Sequence, residues 1–301
     1  MQTYRVGLIG LGVMGQEMAA QLAAHPRFRV AAGFDPARPS VPFPLMDSAL
    51  AVIRNPEIDA IYIATPPKSH EAIMRLVVAA GKPVLCEKPL AHSVTSARHC
   101  RDLAAEARIQ SAVNFHFATR DAAVRMGRVI ASGDLGEIQS IKLRARFAQW
   151  PRSWQAAAGN WLAEPQEGGF TREVVSHYIF LANRLFGPGR LRNADIIRGS
   201  KGIETSLKAE IAHGPITFTI DAAIGGDRDD DIRFAVTGSK GEIAIVDWRQ
   251  LDYAGDAGPA LPDSAPLDAL AEMLDGKPTE LATLDEGYQV VELIEQMLDR
   301  R

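Results

Sequence analysis

Cysteine is nearly absent from this chain of 301 residues: Cys86 and Cys100 are the only two. Two thiols cannot build a disulfide framework or a cysteine-rich metal centre, so they are expected to be free and reduced, and no metal site is expected. Long apolar runs are missing as well. The stretch Val6 to Met14 is too short and too rich in glycine to cross a membrane. It has no basic segment before it and no cleavage site after it, so it does not read as a signal peptide, and a cytoplasmic location is expected. There is no basic arm, and the net charge is −4, which argues against nucleic acid as a partner. Internal repeats and low-complexity tracts are also lacking. What is there is an ordinary globular composition, 47% hydrophobic and 23% charged, in a chain long enough for about two domains.

The first part alternates strand and helix. Tyr4 to Ile9, Phe28 to Phe34, Ile58 to Thr65, Pro83 to Leu85 and Ile109 to Phe115 are short apolar runs suited to strands buried on both faces. Between them lie helical patterns, including His70 to Ala80 closed by Gly81, and a helix for which Ser93 is the N-cap. This order predicts a parallel, doubly wound sheet over residues 1–118. The remainder, residues 119–301, reads differently. A connecting helix from Thr119 to Ser132 is followed by closely spaced strand patterns at Glu137–Phe147, Glu204–Ala212, Ile216–Ile224, Ile232–Thr237 and Glu242–Asp247. These predict an α+β domain with a largely antiparallel sheet, interrupted by one helix from Phe170 to Phe186. Ala254 to Pro266 reads as loop, and Asp285 to Leu298 as a last helix.

Ligand crevices of a doubly wound sheet lie at the C-terminal ends of its strands. Three motifs fall there. The first is Gly10-Leu11-Gly12-Val13-Met14-Gly15, which follows a strand and opens a helix. Gly10 permits the tight turn, Gly12 lets backbone approach a pyrophosphate, and Gly15 allows close packing of helix on strand. The helix N-terminus, at Val13 and Met14, offers N–H groups to the phosphates. Asp35 ends the next strand, twenty residues beyond Gly15, the place where an acidic side chain accepts hydrogen bonds from the adenosine ribose. The expected cofactor is therefore NAD. Arg38 could offset repulsion of a 2′-phosphate, which keeps NADP as the alternative. The other two strand ends carry Thr65-Pro66 and Glu87-Lys88.

In the second domain, Glu173 and His177 are spaced i and i+4 and share a helix face. A histidine there can take or give a proton near neutral pH, with the carboxylate orienting it. A packing histidine is the competing reading.

The run Ala64 to Ala91, ATPPKSHEAIMRLVVAAGKPVLCEKPLA, closely resembles the Gfo/Idh/MocA oxidoreductases. The resemblance covers the first domain and the helix that begins at Phe170, and it weakens elsewhere. It implies a Rossmann domain in which Thr65 and Pro66 line the cofactor and His70 sits by the same loop. Glu87 would contact the nicotinamide-side ribose. Lys88 would stand beside the nicotinamide and the substrate, with a Lys88–Pro89 bond that is cis in relatives. A cation at that place stabilises a developing alkoxide. Relatives carry Gly-Gly-Gly and then Asp-x-x-x-His at the later helix. Here Gly168-Gly169 precede it and His177 matches, but Glu173 replaces the aspartate, displacing the carboxylate by one methylene. Arg172 is either a ligand for an acidic substrate group or, as the preferred reading, a solvated arginine. The resemblance implies that the loop carrying Trp150, Trp154 and Trp161 covers the pocket, with Trp161 as a substrate contact; ordinary hydrophobic packing under a long loop is the competing reading.

The resemblance implies an NAD(P)-dependent oxidoreductase acting on a hydroxyl/carbonyl pair of a small molecule, a sugar or cyclic polyol. Lys88 and His177 would be catalytic, with Glu173 beside them. A homodimer or homotetramer is implied through the C-terminal sheet, on which Arg144 and Arg146 share a solvated or subunit-facing side. Two other readings stay open: a nucleotide-binding regulator without turnover, and an enzyme that uses tightly held NAD for transient oxidation.

Overall fold

The computed structural model describes residues 2–158 and 160–299. They fall into two compact units. One runs up to Phe115 and takes back Ser264–Tyr288; the other is His116–Asp263 with the residues from Gln289 onward.

In the first unit β1 (Tyr4–Ile9), α1 (Val13–Ala24), β2 (Phe28–Phe34), α2 (Ala49–Arg54), β3 (Ala60–Ile63), α3 (His70–Ala79), β4 (Val84–Glu87), α4 (Val94–Ala107) and β5 (Ser111–Asn114) follow one another. The five strands pair in parallel in the order β2-β1-β3-β4-β5. The order reverses beside β1, which makes the ends of β1 and β3 the switch point where such sheets bind ligands. The strands are apolar on both faces because helices cover both. Leu8, Ile9, Ile61, Ile63, Cys86 and Val113 are all buried. Ser93 does cap α4, its hydroxyl accepting from the Ser96 N–H at 3.2 Å. Gly81, at φ +65°, takes the left-handed turn after α3. Both cysteines are free and buried, and burial pushes the Cys100 thiol up to about 12.

The second unit contains α5 (Asp121–Ser132), β6 (Ile138–Phe147), α6 (Ser176–Phe186), β7 (Arg190–Arg198), β8 (Glu204–His213), β9 (Ile216–Ile224), β10 (Asp231–Gly238), β11 (Gly241–Val246) and β12 (Gln250–Asp252). Its strands form one seven-stranded sheet, β12-β11-β10-β6-β9-β8-β7, antiparallel except for the β6–β9 pair. Arg144 and Arg146 do share a face, paired with Asp231 and Asp221 on the flanking strands at 2.7 Å each.

Three departures from the sequence pattern stand out. The edge strand β7, RLRNADIIR, buries only Ala194, so it lacks the alternation that marks a half-buried strand. The helix expected from Phe170 begins instead with a π-helical turn, Thr171–Val175, and becomes α6 only at Ser176. The third is α7 (Ala265–Leu274), whose first two residues had the composition of a loop and which belongs to the first unit, followed by α8 (Leu284–Leu298). Leu267, Leu270 and Met273 join the core formed by Leu8, Leu22, Phe28 and Leu85. Asp275 then accepts from Tyr4 Oη at 2.8 Å and pairs with Arg27 at 2.6 Å. A division at 118/119 in linear sequence does not include this return, because α7 contributes a face of the first unit's core.

Candidate functional site

The glycine turn after β1 shows what each glycine is for. Gly10 has φ +93°, and a Cβ there would stand 2.5 Å from the Ala64 carbonyl oxygen. A Cβ on Gly15 would stand 2.1 Å from the Gly10 carbonyl oxygen. These two are required by the chain's own packing. Gly12 differs: nothing lies within 4 Å of the place its Cβ would take. It is exposed, and it precedes α1 without lending a side-chain cap to the helix. The half-buried Val13 and Met14 follow. This is a cradle for an anion at a helix N-terminus. Asp35 is fixed beside it, Oδ2 accepting from the Leu11 N–H at 2.7 Å and Oδ1 from the Ala37 N–H at 2.8 Å. Arg38 is exposed, in a left-handed conformation, and pairs only weakly with Asp47 at 3.3 Å. The turn, the uncapped helix and the oriented carboxylate fit a dinucleotide.

Two further strand ends lie in the same unit. Thr65 accepts from Ser69 Oγ at 2.8 Å, with Pro66 exposed next to it. His70 is fully buried, so it does not present a ring to a ligand. Its Nε2 lies 2.8 Å from the Thr65 carbonyl oxygen and its Nδ1 3.1 Å from that of Pro89. It clasps the loop after β3 to the loop after β4.

Glu87 is the last residue of β4 and is only 5% exposed. Oε1 accepts from the Tyr62 hydroxyl and from Asn114 Nδ2 at 2.7 Å, and Oε2 from the Lys88 N–H at 3.2 Å. The network spans β3, β4 and β5, so the carboxylate is held by three neighbouring strand ends. Burial pushes its carboxyl above the usual range, while the Tyr62 and Asn114 donors and the Lys88 charge oppose that rise. Lys88 follows, half-buried, before a cis bond to Pro89. The sequence pointed to Glu87 and Lys88 but missed Tyr62 and Asn114. Tyr62 reads as one more apolar strand residue, although Asn114 stands at a strand's C-terminal end, where a polar side chain is a usable signal.

In the second unit, Glu173 lies on the π turn and His177 on the first turn of α6, both buried. Gly168 and Gly169 make the entry. A Cβ on Gly169 would collide with the Glu204 carboxylate, whose Oε1 accepts from the Thr171 N–H at 2.8 Å. A buried acidic group at a helix start is favourable with the dipole. The imidazole of His177 is enclosed by rings: His116 at 5.2 Å between centroids, Trp248 at 5.2 Å and Phe117 at 6.1 Å. Neither His116 nor Trp248 was singled out by sequence, because turns far apart in the chain bring them here.

Arg172 is neither solvated nor available to a substrate. Its Nε and Nη2 donate to Glu295 at 2.8 and 2.9 Å, and Nη1 donates to the Pro165 and Gly168 carbonyls at 2.8 and 3.0 Å. Four of its five N–H groups are thereby used within the unit. In the tryptophan loop, Trp154 and Trp150 pack on the Arg152 guanidinium at 4.6 and 5.6 Å, and Arg152 pairs with Asp230 at 2.8 Å. Trp161 is half-buried on the turn Asn160–Ala163. No helix among the described residues is long and apolar enough to cross a membrane.

Comparison with known proteins agrees with this geometry. Residues 4–115 match the Gfo/Idh/MocA family described as an oxidoreductase family with an NAD-binding Rossmann fold, and residues 123–244 match the Gfo/Idh/MocA C-terminal domain. Levoglucosan dehydrogenase of Pseudarthrobacter phenanthrenivorans is 26% identical over 283 residues, 82% of this chain and 67% of that protein. Inositol 2-dehydrogenase of Rhizobium meliloti is 25% identical over 273 residues, 82% of this chain and 77% of that protein. Across four such relatives the matched part spans from 39% to 77% of their length. In fold, the chain is similar to GenD2 from gentamicin A biosynthesis, solved in complex with NAD. The TM-score is 0.81 at 21% identity, over 100% of this chain and 96% of that one. The chain belongs to the Gfo/Idh/MocA oxidoreductase family, and its first unit is that family's NAD-binding Rossmann fold.

Proposed function

We propose that this protein is an NAD-dependent dehydrogenase or reductase acting on a hydroxyl/carbonyl pair of a sugar or cyclic polyol. The observation that carries this reading is Lys88, a cation at the end of β4 whose backbone is held by the Glu87 network. The names of the levoglucosan and inositol enzymes support the substrate class.

In this reading the turn that Gly10 and Gly15 shape presents Gly12, Val13 and Met14 to the pyrophosphate, and Thr65 and Pro66 line the ribose and nicotinamide. Asp35 accepts from the adenosine ribose hydroxyls and repels a 2′-phosphate, which favours NAD over NADP. When bound, the nicotinamide supplies the hydride donor or acceptor. Lys88 stabilises negative charge developing on the substrate oxygen. His177 takes or gives the hydroxyl proton, and Glu173 orients it. Trp161 lines the substrate. Residues 1–118 would carry the cofactor and residues 119–301 the substrate, save for the return of α7. Assembly as a homodimer or homotetramer would use the face of the seven-stranded sheet that carries Arg144 and Arg146.

The test is a panel of sugars and polyols that includes levoglucosan and myo-inositol, with NAD and NADP, followed at the NADH absorbance band. Lys88→Met and His177→Asn are each expected to lower kcat about 10²–10³-fold. The Kd for NAD, read by fluorescence titration, is expected to stay within about twofold, since neither group holds the pyrophosphate. Near-normal turnover in both variants sinks the mechanism.

A further inference from the structure

The hairpin between β11 and β12 turns through Asp247 and Trp248. The Arg249 N–H donates to the Val246 carbonyl at 3.2 Å, and both central residues are left-handed, at φ 45° and 73°. That is the geometry for which Asn-Gly or Asp-Gly is the usual solution. Asp247 is anchored there: Oδ1 accepts from the Ile232 N–H at 3.0 Å and Oδ2 from Arg228 at 2.6 Å. Tryptophan at the second position is another matter. A bulky residue at positive φ is a genuine outlier, and such outliers cluster where function over-determines the backbone.

The indole's surroundings suggest what the turn is for. It meets the His177 imidazole edge to face, at 5.2 Å and 90°. Phe117 stacks on it at 6.0 Å and Tyr178 lies against it at 5.5 Å. The Arg152 guanidinium carbon is 5.9 Å from its centre, and Arg152 is itself fixed by Asp230 at 2.8 Å and by Gln155 at 3.1 Å. The indole is thus locked, and it in turn limits rotation of His177 about its Cβ–Cγ bond. That rotation would exchange ring nitrogens for ring carbons at the positions that face a proton donor or acceptor.

We infer that Trp248 is a positioning residue: the strained β11–β12 turn exists to fix the ring plane of His177 and so to aim its proton-carrying nitrogen. The inference rests on the reading of His177 as the acid/base of the proposed reaction. Edge-to-face pairing is the geometry aromatic rings prefer, and it restrains the plane of the ring it meets.

The experiment is Trp248→Gly, which relieves the turn, with Trp248→Phe as the conservative variant. The first readout needs no substrate: the ring C–H resonances of His177, assigned with His177→Asn. In Trp248→Gly they are expected to move and to broaden through ring exchange, and in Trp248→Phe to stay sharp. The second readout is kinetic. Trp248→Gly should lower kcat about tenfold or more, with the substrate KM and the Kd for NAD little changed, and Trp248→Phe should recover part of the loss. If Trp248→Gly does not fold, Trp248→Leu, bulky but without a ring, is read in the same way. Unmoved and sharp His177 resonances in the ring-less variant overturn the inference, as does an unchanged kcat. A wild-type protein that turns over no substrate overturns the oxidoreductase reading alone, and the resonances still decide whether Trp248 positions His177.

Discussion

At the nucleotide end of the five-stranded sheet, a buried carboxylate receives hydrogen bonds from Tyr62, Asn114 and the Lys88 amide. On the π turn and α6 of the other unit, Thr171 Oγ1, Ser176 Oγ, Tyr178 Oη and Asn183 Nδ2 are buried with no hydrogen-bond partner among the described residues. Each such atom costs about 1–3 kcal/mol. The helix is held despite them by apolar packing, since Phe170, Val174, Ile179 and Phe180 are fully buried. One unit fixes its functional groups by satisfied hydrogen bonds at strand ends. The other surrounds its candidate group, His177, with packed rings on a helix that opens in a rare π turn. A π turn tends to mark a functional site, and here it carries Glu173 one turn before His177.

Arg172 is the exception in the second unit, and breaking it should give the largest effect. Its side chain is 6% exposed and that of its partner Glu295 15%. Arg172→Met strands the glutamate charge in a low-dielectric place, so stability is expected to fall by about 3–5 kcal/mol, read from the urea midpoint. Arg172→Met with Glu295→Met should recover most of it. An unchanged midpoint with a raised substrate KM would instead put Arg172 in contact with substrate.

The glycine turn allows a sharper division within the first unit. Gly10→Ala adds a Cβ at 2.5 Å from backbone at a φ of +93° and is expected to cost about 3 kcal/mol. The Cβ that Gly12→Val adds meets no atom within 4 Å, and at this exposed site the substitution should change stability by about 0.5 kcal/mol or less. Yet it should weaken NAD about tenfold or more, because backbone at that glycine approaches the pyrophosphate. Thermal melts with and without NAD separate the two. Equal loss of stability in both variants would mean that Gly12, too, serves only the chain's own packing.

This contrast also decides what could be read from sequence. Motifs in the first unit are local: a turn, a helix start and a strand end lie within a few residues of each other, so Gly10, Asp35 and Lys88 were legible. His177 was singled out by its i, i+4 spacing from Glu173 together with the family resemblance. The groups around it were not. His116 and Trp248 come from 61 residues before it and 71 after it, and no periodicity reports that. Arg172 was misread because its partner Glu295 is 123 residues away. The α7 return was missed for the same reason: its partners Leu8 and Leu22 lie at the other end of the chain.

Tyr62→Phe should give the smallest effect and the one that best tests whether hydrogen bonds, rather than packing, hold the nucleotide end. The phenyl ring keeps the buried volume and removes one donor from Glu87. Burial already holds the Glu87 carboxyl above its usual range, and the tyrosine donor pulls it back down. Without that donor it rises further. A carboxyl raised on folding favours the protonated folded protein. Stability therefore falls as pH climbs above the ordinary glutamate value of 4.5, and it levels off once the folded carboxyl ionises. In Tyr62→Phe the levelling comes at higher pH, so the deficit against wild type should grow with pH, to about 1–2 kcal/mol near neutrality. Urea midpoints taken from about pH 4 to about pH 8 read this directly. A deficit of the same size at every pH would leave Tyr62 as packing, with Asn114 and the Lys88 amide as the donors that hold Glu87.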